Sequence, residues 1–421
     1  MSRVIVRRKG GEILKKIISM LTASAAVLEL LLATVLLTAD YFTPNSYTVI
    51  NGNHLEWLSG AIKVVGSNDV TASKNVPYPK TYQGTMMLYH LIPIKSVDVS
   101  IVDQTCVVPC GTPFGIKMFT NGVVIVGLAD IQTSSGSVNP AAQAGLKIGD
   151  VITDVNGKEV NTNSEVAKDV ENCGGKSLKL SIRRDGAVST VILHPVRSET
   201  DGLYKAGLWV RDSTAGIGTL TYYDPSTKSF AGLGHGICDS DTSELMPLLS
   251  GDIVPVNING VTKGLKGKPG ELRGYFAGSN AMGKLTANIT DGVYGHLNSA
   301  PTGCAVKVAM KQDVKTGRVK ILTTIDGGKP RYYDAEIERI DYRDQLRSKN
   351  MVLHITDERL LPQTGGIVQG MSGSPILQDG KLVGAVTHVF VNDPTRGYGV
   401  FAENMLSETQ ALSSAQRLKA S

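Results

Sequence analysis

Apolar and polar positions along this chain fall into distinct regimes. The first is a run of 23 residues, 17–39, whose single charge is Glu29. As a helix rising about 1.5 Å per residue, such a run reaches across the hydrocarbon core of a bilayer. The second is the polar stretch 40–90, punctuated by Pro44, Asn45, Asn51, Gly52 and Asn53. It predicts a tether with little fold of its own. From residue 91 onward the pattern changes to alternation with a period of two, and residues 97–102 (Val-Asp-Val-Ser-Ile-Val) are its first clear strand.

Residues 105–197 carry their own set of elements. In Asn139-Pro140-Ala141-Ala142-Gln143-Ala144-Gly145-Leu146-Lys147-Ile148-Gly149-Asp150-Val151-Ile152 a short apolar helix ends at Gly145, a turn follows at Gly149-Asp150, and a strand runs over 151–155. Asn156-Gly157 closes a hairpin. The spacing predicts a helix over 163–172 and strands over 177–183 and 189–194. Residues 202–421 are again strand and turn. They open with a hairpin whose turn is Asp224-Pro225-Ser226-Thr227-Lys228, and its returning strand, Phe230-Ala231-Gly232-Leu233-Gly234, delivers His235.

The chemistry concentrates near the end. Ile376-Leu377-Gln378-Asp379-Gly380-Lys381-Leu382-Val383-Gly384-Ala385-Val386 reads strand, Asp-Gly turn, strand. Directly before it stands Gly370-Met371-Ser372-Gly373-Ser374-Pro375. A hexapeptide of this composition also suits an ordinary surface turn; the hairpin behind it favours a nucleophile, Ser372. Flanking glycines let the backbone take strained dihedrals and bring N–H groups close to a developing oxyanion. An α/β-hydrolase elbow would need glycine at position 374 and its acid and histidine after the serine, but only 421 − 372 = 49 residues follow.

His235 precedes the serine by 372 − 235 = 137 residues, room for one barrel between them. An imidazole near neutral pKa can take the serine proton and return it to a leaving amine. His388, on the strand after the serine, is the second histidine, where the wall of a specificity pocket would run. The acid that would orient the base has five candidates: Asp239, Asp241, Asp252, Asp291 and Asp357. The usual order of a double barrel favours Asp291. Asp357 lies 372 − 357 = 15 residues before the serine, in a loop that could swing back to the cleft.

Composition narrows the class. Hydrophobic content of 42% and charged content of 19% are those of a globular chain, and 46 glycines fit many short strands joined by turns. The net charge of +5 forms no basic stripe with interleaved aromatics, which argues against nucleic-acid binding. Arg3, Arg7, Arg8, Lys9, Lys15 and Lys16 precede the apolar run. That asymmetry favours a cytoplasmic N-terminus and an exported remainder. The run is longer than a cleaved signal core and its cleavage sites near Ala39 are poor, so an uncleaved anchor is expected. Five cysteines (Cys106, Cys110, Cys173, Cys238, Cys304) do not form a disulfide framework, although Cys106 and Cys110 could pair around the bend at Val107-Val108-Pro109. No second Cys/His pair at ligand spacing points to zinc, and no cofactor is indicated. His54, His90, His194, His296 and His354 read as ordinary surface or core histidines.

The motif Ala144-Gly145-Leu146-x-x-Gly149-Asp150-x-Ile152-x-x-x-Asn156-Gly157 closely resembles a PDZ domain over about 90 residues. The resemblance implies a loop, Pro113, Phe114, Gly115 and Ile116, that captures a peptide carboxylate beside the helix 163–172. It is also compatible with a PDZ scaffold that packs on the catalytic domain and binds no free tail. The stretch Arg211-Asp212-Ser213-Thr214-Ala215-Gly216-Ile217-Gly218-Thr219, the His235 segment, and Gly366-Ile367-Val368-Gln369-Gly370-Met371-Ser372-Gly373-Ser374-Pro375 resemble the stage IV sporulation protein B peptidases. These are signalling serine proteases of endospore-forming bacteria in the chymotrypsin-like clan.

The resemblance covers roughly residues 91–415. It implies a mainly β protein: an anchor (1–39), a tether and lead-in strand (40–104), a PDZ domain (105–197) and a double β-barrel protease domain (202–421). It further implies Ser372 as nucleophile, His235 as base and Asp357 as third member, with the N–H groups of Gly370 and Ser372 as oxyanion hole and Thr387 beside the substrate pocket. Met371 stands where an aspartate is common in trypsin-like enzymes, so activation takes another route, with self-cleavage within 40–90 as the expected release step. The implied partners are a membrane-bound regulator of an intramembrane protease in the space between forespore and mother-cell membranes, and the protein itself through its PDZ and tether. Two other readings compete: a PDZ adaptor on a non-catalytic protease scaffold, and a quality-control protease of the periplasmic type.

Overall fold

The computed structural model describes residues 2–51, 56–57, 62–66, 80–89, 91–278, 280–343, 345 and 347–420. The chain divides into two compact units, 1–104 with 341–346, and 105–340 with 347–421. His54 and His90 lie outside the described residues.

The first unit begins with the helix Ser2–Phe42. Its segment Ile17–Phe42 is long and apolar enough to cross a membrane, and Leu21, Leu28 and Leu30 along it are exposed. The expected tether proves to be folded. Strands Ser46–Ile50, Glu56–Trp57, Ile62–Gly66, Lys80–Leu88 and Ile92–Val102 form one sheet, with the first strand parallel to the last. Tyr47, Val49, Ile62, Met86, Val97 and Val99 make its core. These strands carry apolar residues at alternate positions, and it is the polar breaks at Pro44-Asn45 and Asn51-Gly52-Asn53 that make the sequence read as linker.

The second unit is built on two six-stranded rings. The first contains β1 (Pro113–Leu128), β2 (Leu208–Asp224), β3 (Ser229–Gly232), β4 (Leu248–Thr262), β5 (Gly283–Ile289) and β6 (Gly292–Leu297). Pairing runs β1-β2-β3-β6-β5-β4 and closes from β4 back to β1. The second is a closed barrel of β7 (Gly317–Thr323), β8 (Arg331–Ile340), β9 (Met351–Ile355), β10 (Pro375–Gln378), β11 (Lys381–Phe390) and β12 (Asp393–Phe401), in the order β7-β8-β9-β12-β11-β10. Both rings share one strand order, that of a chymotrypsin-like double barrel. Asp379 and Gly380, at φ 49° and 76°, make the two-residue β10–β11 turn that the Asp-Gly pair predicts.

The PDZ elements are present but are not a separate bead. Strands Val151–Val155, Leu178–Arg184 and Ala187–Leu193 extend the sheet from the second half of β1. The helix Asn163–Glu171 opens with a capping box between Thr162 and Glu165 and buries Val166 and Val170, four residues apart on one face. The first half of β1 belongs to the first barrel. A boundary near residue 200 therefore cuts through a shared sheet.

Candidate active site

His235 follows β3 by three residues, after Leu233 and Gly234 in left-handed conformation. Its segment is held from the β5–β6 side. The Gly236 N–H donates to the Thr290 carbonyl (3.2 Å), and buried Asn288 accepts from Ile237 N–H (2.7 Å) and donates to the carbonyls of Ile237 (2.9 Å) and Met246 (2.8 Å). His235 Nδ1 lies 2.9 Å from the Gly236 carbonyl. With Nδ1 donating there, Nε2 is left as the basic nitrogen. Burial holds the imidazole pKa below its ordinary value.

Ser372 lies in the loop between β9 and β10. Gly370 and Gly373 both sit at φ +95°, where side chains are strained. The loop is braced by β2. The Thr219 N–H donates to the Ser372 carbonyl (3.0 Å), Thr219 Oγ1 to the Gly370 carbonyl (2.7 Å), and Thr221 Oγ1 to the Gly373 carbonyl (2.8 Å). From within and behind the loop, Met371 N–H reaches Val368 O (3.1 Å), Gly373 N–H reaches Val386 O (2.7 Å) and Ser374 N–H reaches Met371 O (2.9 Å). Among the described hydrogen bonds none uses the N–H of Gly370 or of Ser372. Those are the two donors expected to receive an oxyanion.

Ser372, Gly370, His235, Thr387 and His388 line one cavity of about 630 Å³, with Ile367, Val368, Val389 and Val391 on its apolar side. The Ser372 hydroxyl donates to the Thr387 carbonyl at 2.6 Å, and no hydrogen bond joins it to His235. Thr387 turns its own hydroxyl away, to the Ser348 carbonyl (2.9 Å). The His388 ring lies 4.8 Å from that of His235, and its buried Nδ1 has no hydrogen-bond partner. Burial first, then His235 and Lys349, lowers its pKa to about 4. Met371 is fully buried.

Among the described hydrogen bonds none joins Asp357 to His235. Its carboxylate accepts from the backbone N–H groups of Asp334 (3.0 Å), Arg359 (2.8 Å) and Leu360 (3.2 Å) and from the Arg359 guanidinium (2.6 Å). The pairing with Arg359 holds it well below the usual carboxylate range. Asp291 sits on the β5–β6 turn, one residue after the Thr290 whose carbonyl receives Gly236 N–H, and among the described hydrogen bonds none joins it to His235 either. It is buried, lies 2.8 Å from Arg347, and burial raises its pKa. Asp239 and Asp241 pair with Arg211, and Asp252 with Lys284.

The expected peptide-capturing loop is instead the start of β1. Pro113, Phe114, Gly115 and Ile116 pair with Thr219, Gly218, Ile217 and Gly216 on one edge, and the last three with Pro255, Val254 and Ile253 on the other. Phe114 is fully buried against Phe230 (6.1 Å between ring centroids). Both edges are occupied, so these residues offer no donors to a peptide end. Cys106 and Cys110 are free, one exposed and one buried. The threonine brace from β2 is absent from the sequence expectations. Thr219 and Thr221 alternate on one face of a strand that the sequence does predict, and that spacing is their only signal.

Residues 202–406 match the family model described as SpoIVB peptidase S55, and residues 115–194 match that of the PDZ domain. The chain is 33% identical over 95 residues to "Putative zinc metalloprotease LL2128" of Lactococcus lactis subsp. lactis, a match covering 23% of this chain and 20% of that relative's length. Among solved structures it is similar to "Crystal structure of Rv3671c protease, inactive form", at 16% identity over 47% of this chain and 84% of that one, with a TM-score of 0.28. It is also similar to "HtrA-type protease AlgW with decapeptide", at 12% identity over 48% and 54% of the two chains, with a TM-score of 0.29.

Proposed function

We propose, from the premise that this chain belongs to the PDZ-containing serine peptidases of the SpoIVB S55 family, that it is a membrane-tethered endopeptidase in which Ser372 is the nucleophile and His235 the general base. The observation that carries this reading is the pair of unused N–H groups on Gly370 and Ser372, beside a serine that shares a cavity with a histidine of lowered pKa.

The Ser372 hydroxyl swings from the Thr387 carbonyl to Nε2 of His235. Its oxygen attacks the peptide carbonyl carbon as the proton passes to the ring. The oxyanion is received by the Gly370 and Ser372 N–H groups. His235 then gives the proton to the amine nitrogen as the C–N bond breaks. Water, deprotonated by the same ring, hydrolyses the acyl-enzyme and restores Ser372. In this reading the Gly236 carbonyl fixes the tautomer of the base, Asp291 on the adjoining β5–β6 turn is the candidate third member, and Asp357 is structural.

The substrate in this proposal is a membrane-bound regulator of an intramembrane protease, cleaved between forespore and mother-cell membranes so that a sigma factor matures, with self-cleavage as a second reaction. The family match and the apolar helix support it. The test is the full chain and its Ser372→Ala variant in an endospore-forming host. Loss of both substrate cleavage and sigma-factor maturation in the variant is expected. Maturation that persists in the variant would mean an adaptor rather than an enzyme.

A further inference from the structure

A PDZ fold offers an extended peptide the space between a sheet edge and a helix. Here the chain fills that space itself. Residues 208–211 of β2 pair antiparallel with 124–128 of β1: Leu208 with Leu128, Trp209 with Gly127, Val210 with Ile125 and Arg211 with Val124. Leu208 and Val210 pack on the core that holds Val166 and Val170 of the facing helix. Asp212 accepts the N–H of Asn163, the first residue of that helix, at 2.9 Å. The added strand is therefore bonded along its edge, packed beneath, and fixed at the helix start.

The same segment reaches the loop that follows His235. Arg211 donates one Nη to the carboxylate of Asp239, the other to Asp241 Oδ2 (2.7 Å), and comes within 3.3 Å of Ser240 Oγ. Asp239 is buried, and its other oxygen accepts the N–H groups of Asp241 and Thr242, both at 3.0 Å. The loop so gathered hangs from the His235 segment, closed by Met246 N–H to Ile237 O (3.0 Å) and Asp239 N–H to Glu244 O (2.9 Å). Asp239, Ser240 and Ser243 are wall residues of the active cavity. Eight residues beyond Arg211 (219 − 211), β2 braces the serine loop through Thr219.

We propose that residues 208–212 are a built-in strand ligand of the PDZ groove, and that Arg211 within them is a positioning residue that holds the loop behind His235. The groove and the active site then form one mechanical unit, and the guanidinium is the link between them. A planar, bidentate donor suits two carboxylates on one turn in a way that a lysine ammonium cannot match.

The proposal rests on His235 being the base, and the test separates the two. The full chain and its Arg211→Ala, Arg211→Lys and Asp241→Ala variants are compared for peptide turnover and for labelling of Ser372 by a serine-directed phosphonate. Arg211→Ala should lower kcat about tenfold to a hundredfold with KM nearly unchanged, as expected for a displaced catalytic group. Added guanidinium ion should restore part of the loss, and Arg211→Lys should recover less than half. Asp241→Ala, at an exposed partner, should lower kcat several-fold in a chain that folds normally. Wild-type kcat in both Arg211→Ala and Asp241→Ala, with wild-type labelling intact, would overturn this proposal and spare the reading of the base. A loss confined to KM, or one that guanidinium leaves untouched while Asp241→Ala is fully active, would also overturn it. Failure of the wild-type chain to label would overturn both.

Discussion

The hydroxyl of Ser372 donates to the carbonyl of Thr387 at 2.6 Å, while the ring beside that carbonyl's strand, His235, is left with Nε2 free. In the proposed mechanism the Ser372 side chain rotates from that carbonyl toward His235, whose ring lines the same cavity. Staggered rotamers make such a step fast and inexpensive. The bond therefore marks a resting arrangement compatible with catalysis.

Removing either partner should end the chemistry and leave the fold. Ser372→Ala and His235→Ala are each expected to lower kcat by on the order of 10⁴ or more, as in other serine–histidine systems. Neither residue is an anchor of a barrel core, so thermal unfolding of both variants should stay close to wild type. A calorimetric scan beside a turnover assay checks both halves.

The two loop glycines should differ from each other. Gly370→Ala places a Cβ 3.1–3.2 Å from the flexible Leu272 side chain and strains a φ of +95°, so a stability loss of about 1–3 kcal/mol with reduced kcat is expected. Gly373→Ala aims its Cβ at 2.0 Å from the Thr219 carbonyl, which is backbone and cannot step aside. That variant should lose the serine loop altogether, measured as no phosphonate labelling and a larger drop in Tm.

Acidification should act on the two histidines with a defined sign. Both have folded-state pKa values below the unfolded value of about 6.5, that of His388 at about 4. The unfolded chain therefore binds protons that the folded chain does not as pH falls below about 6.5, and stability is lost from there toward pH 4. Tm measured from pH 7 to 4.5 should fall, and His388→Phe should flatten that fall. The acid limb of kcat/KM should lie below pH 6.5, because His235 stays neutral and active to lower pH than a free imidazole.

The two aspartates should separate chemistry from stability. Asp357→Asn weakens a carboxylate tied to Arg359 and to three backbone N–H groups, so it should lower Tm while folded molecules keep most of their kcat. The loss should begin to shrink below about pH 4, where the carboxyl of the unfolded chain takes up its proton, and should disappear only below the depressed pKa of the folded carboxyl. Asp291→Asn should instead lower kcat. The comparison is kcat per labelled active site, which corrects for unfolded protein.

What the sequence made legible was local. The Asp379-Gly380 hairpin, the helix at 163–172 and the strand ending before His235 are each set by neighbours in the chain, and each forms close to its expected bounds. Pairing across long separations was not legible. Phe114 meets Gly218 and Pro255, more than a hundred residues away, and only those partners turn an expected peptide-binding loop into a barrel strand. The fate of Asp357 lay between these cases: Arg359, two residues on, is its main partner, and that spacing was open to view beside the loop that suggested a catalytic role.

The most direct measurement is the pH dependence of phosphonate labelling at Ser372 in the purified full chain, with the modified peptide identified. The account predicts one labelled peptide, containing Ser372, formed at a rate that rises with a single apparent pKa below 6.5 and falls to background in His235→Ala. Labelling at another serine, or an unchanged rate without the His235 ring, would contradict it.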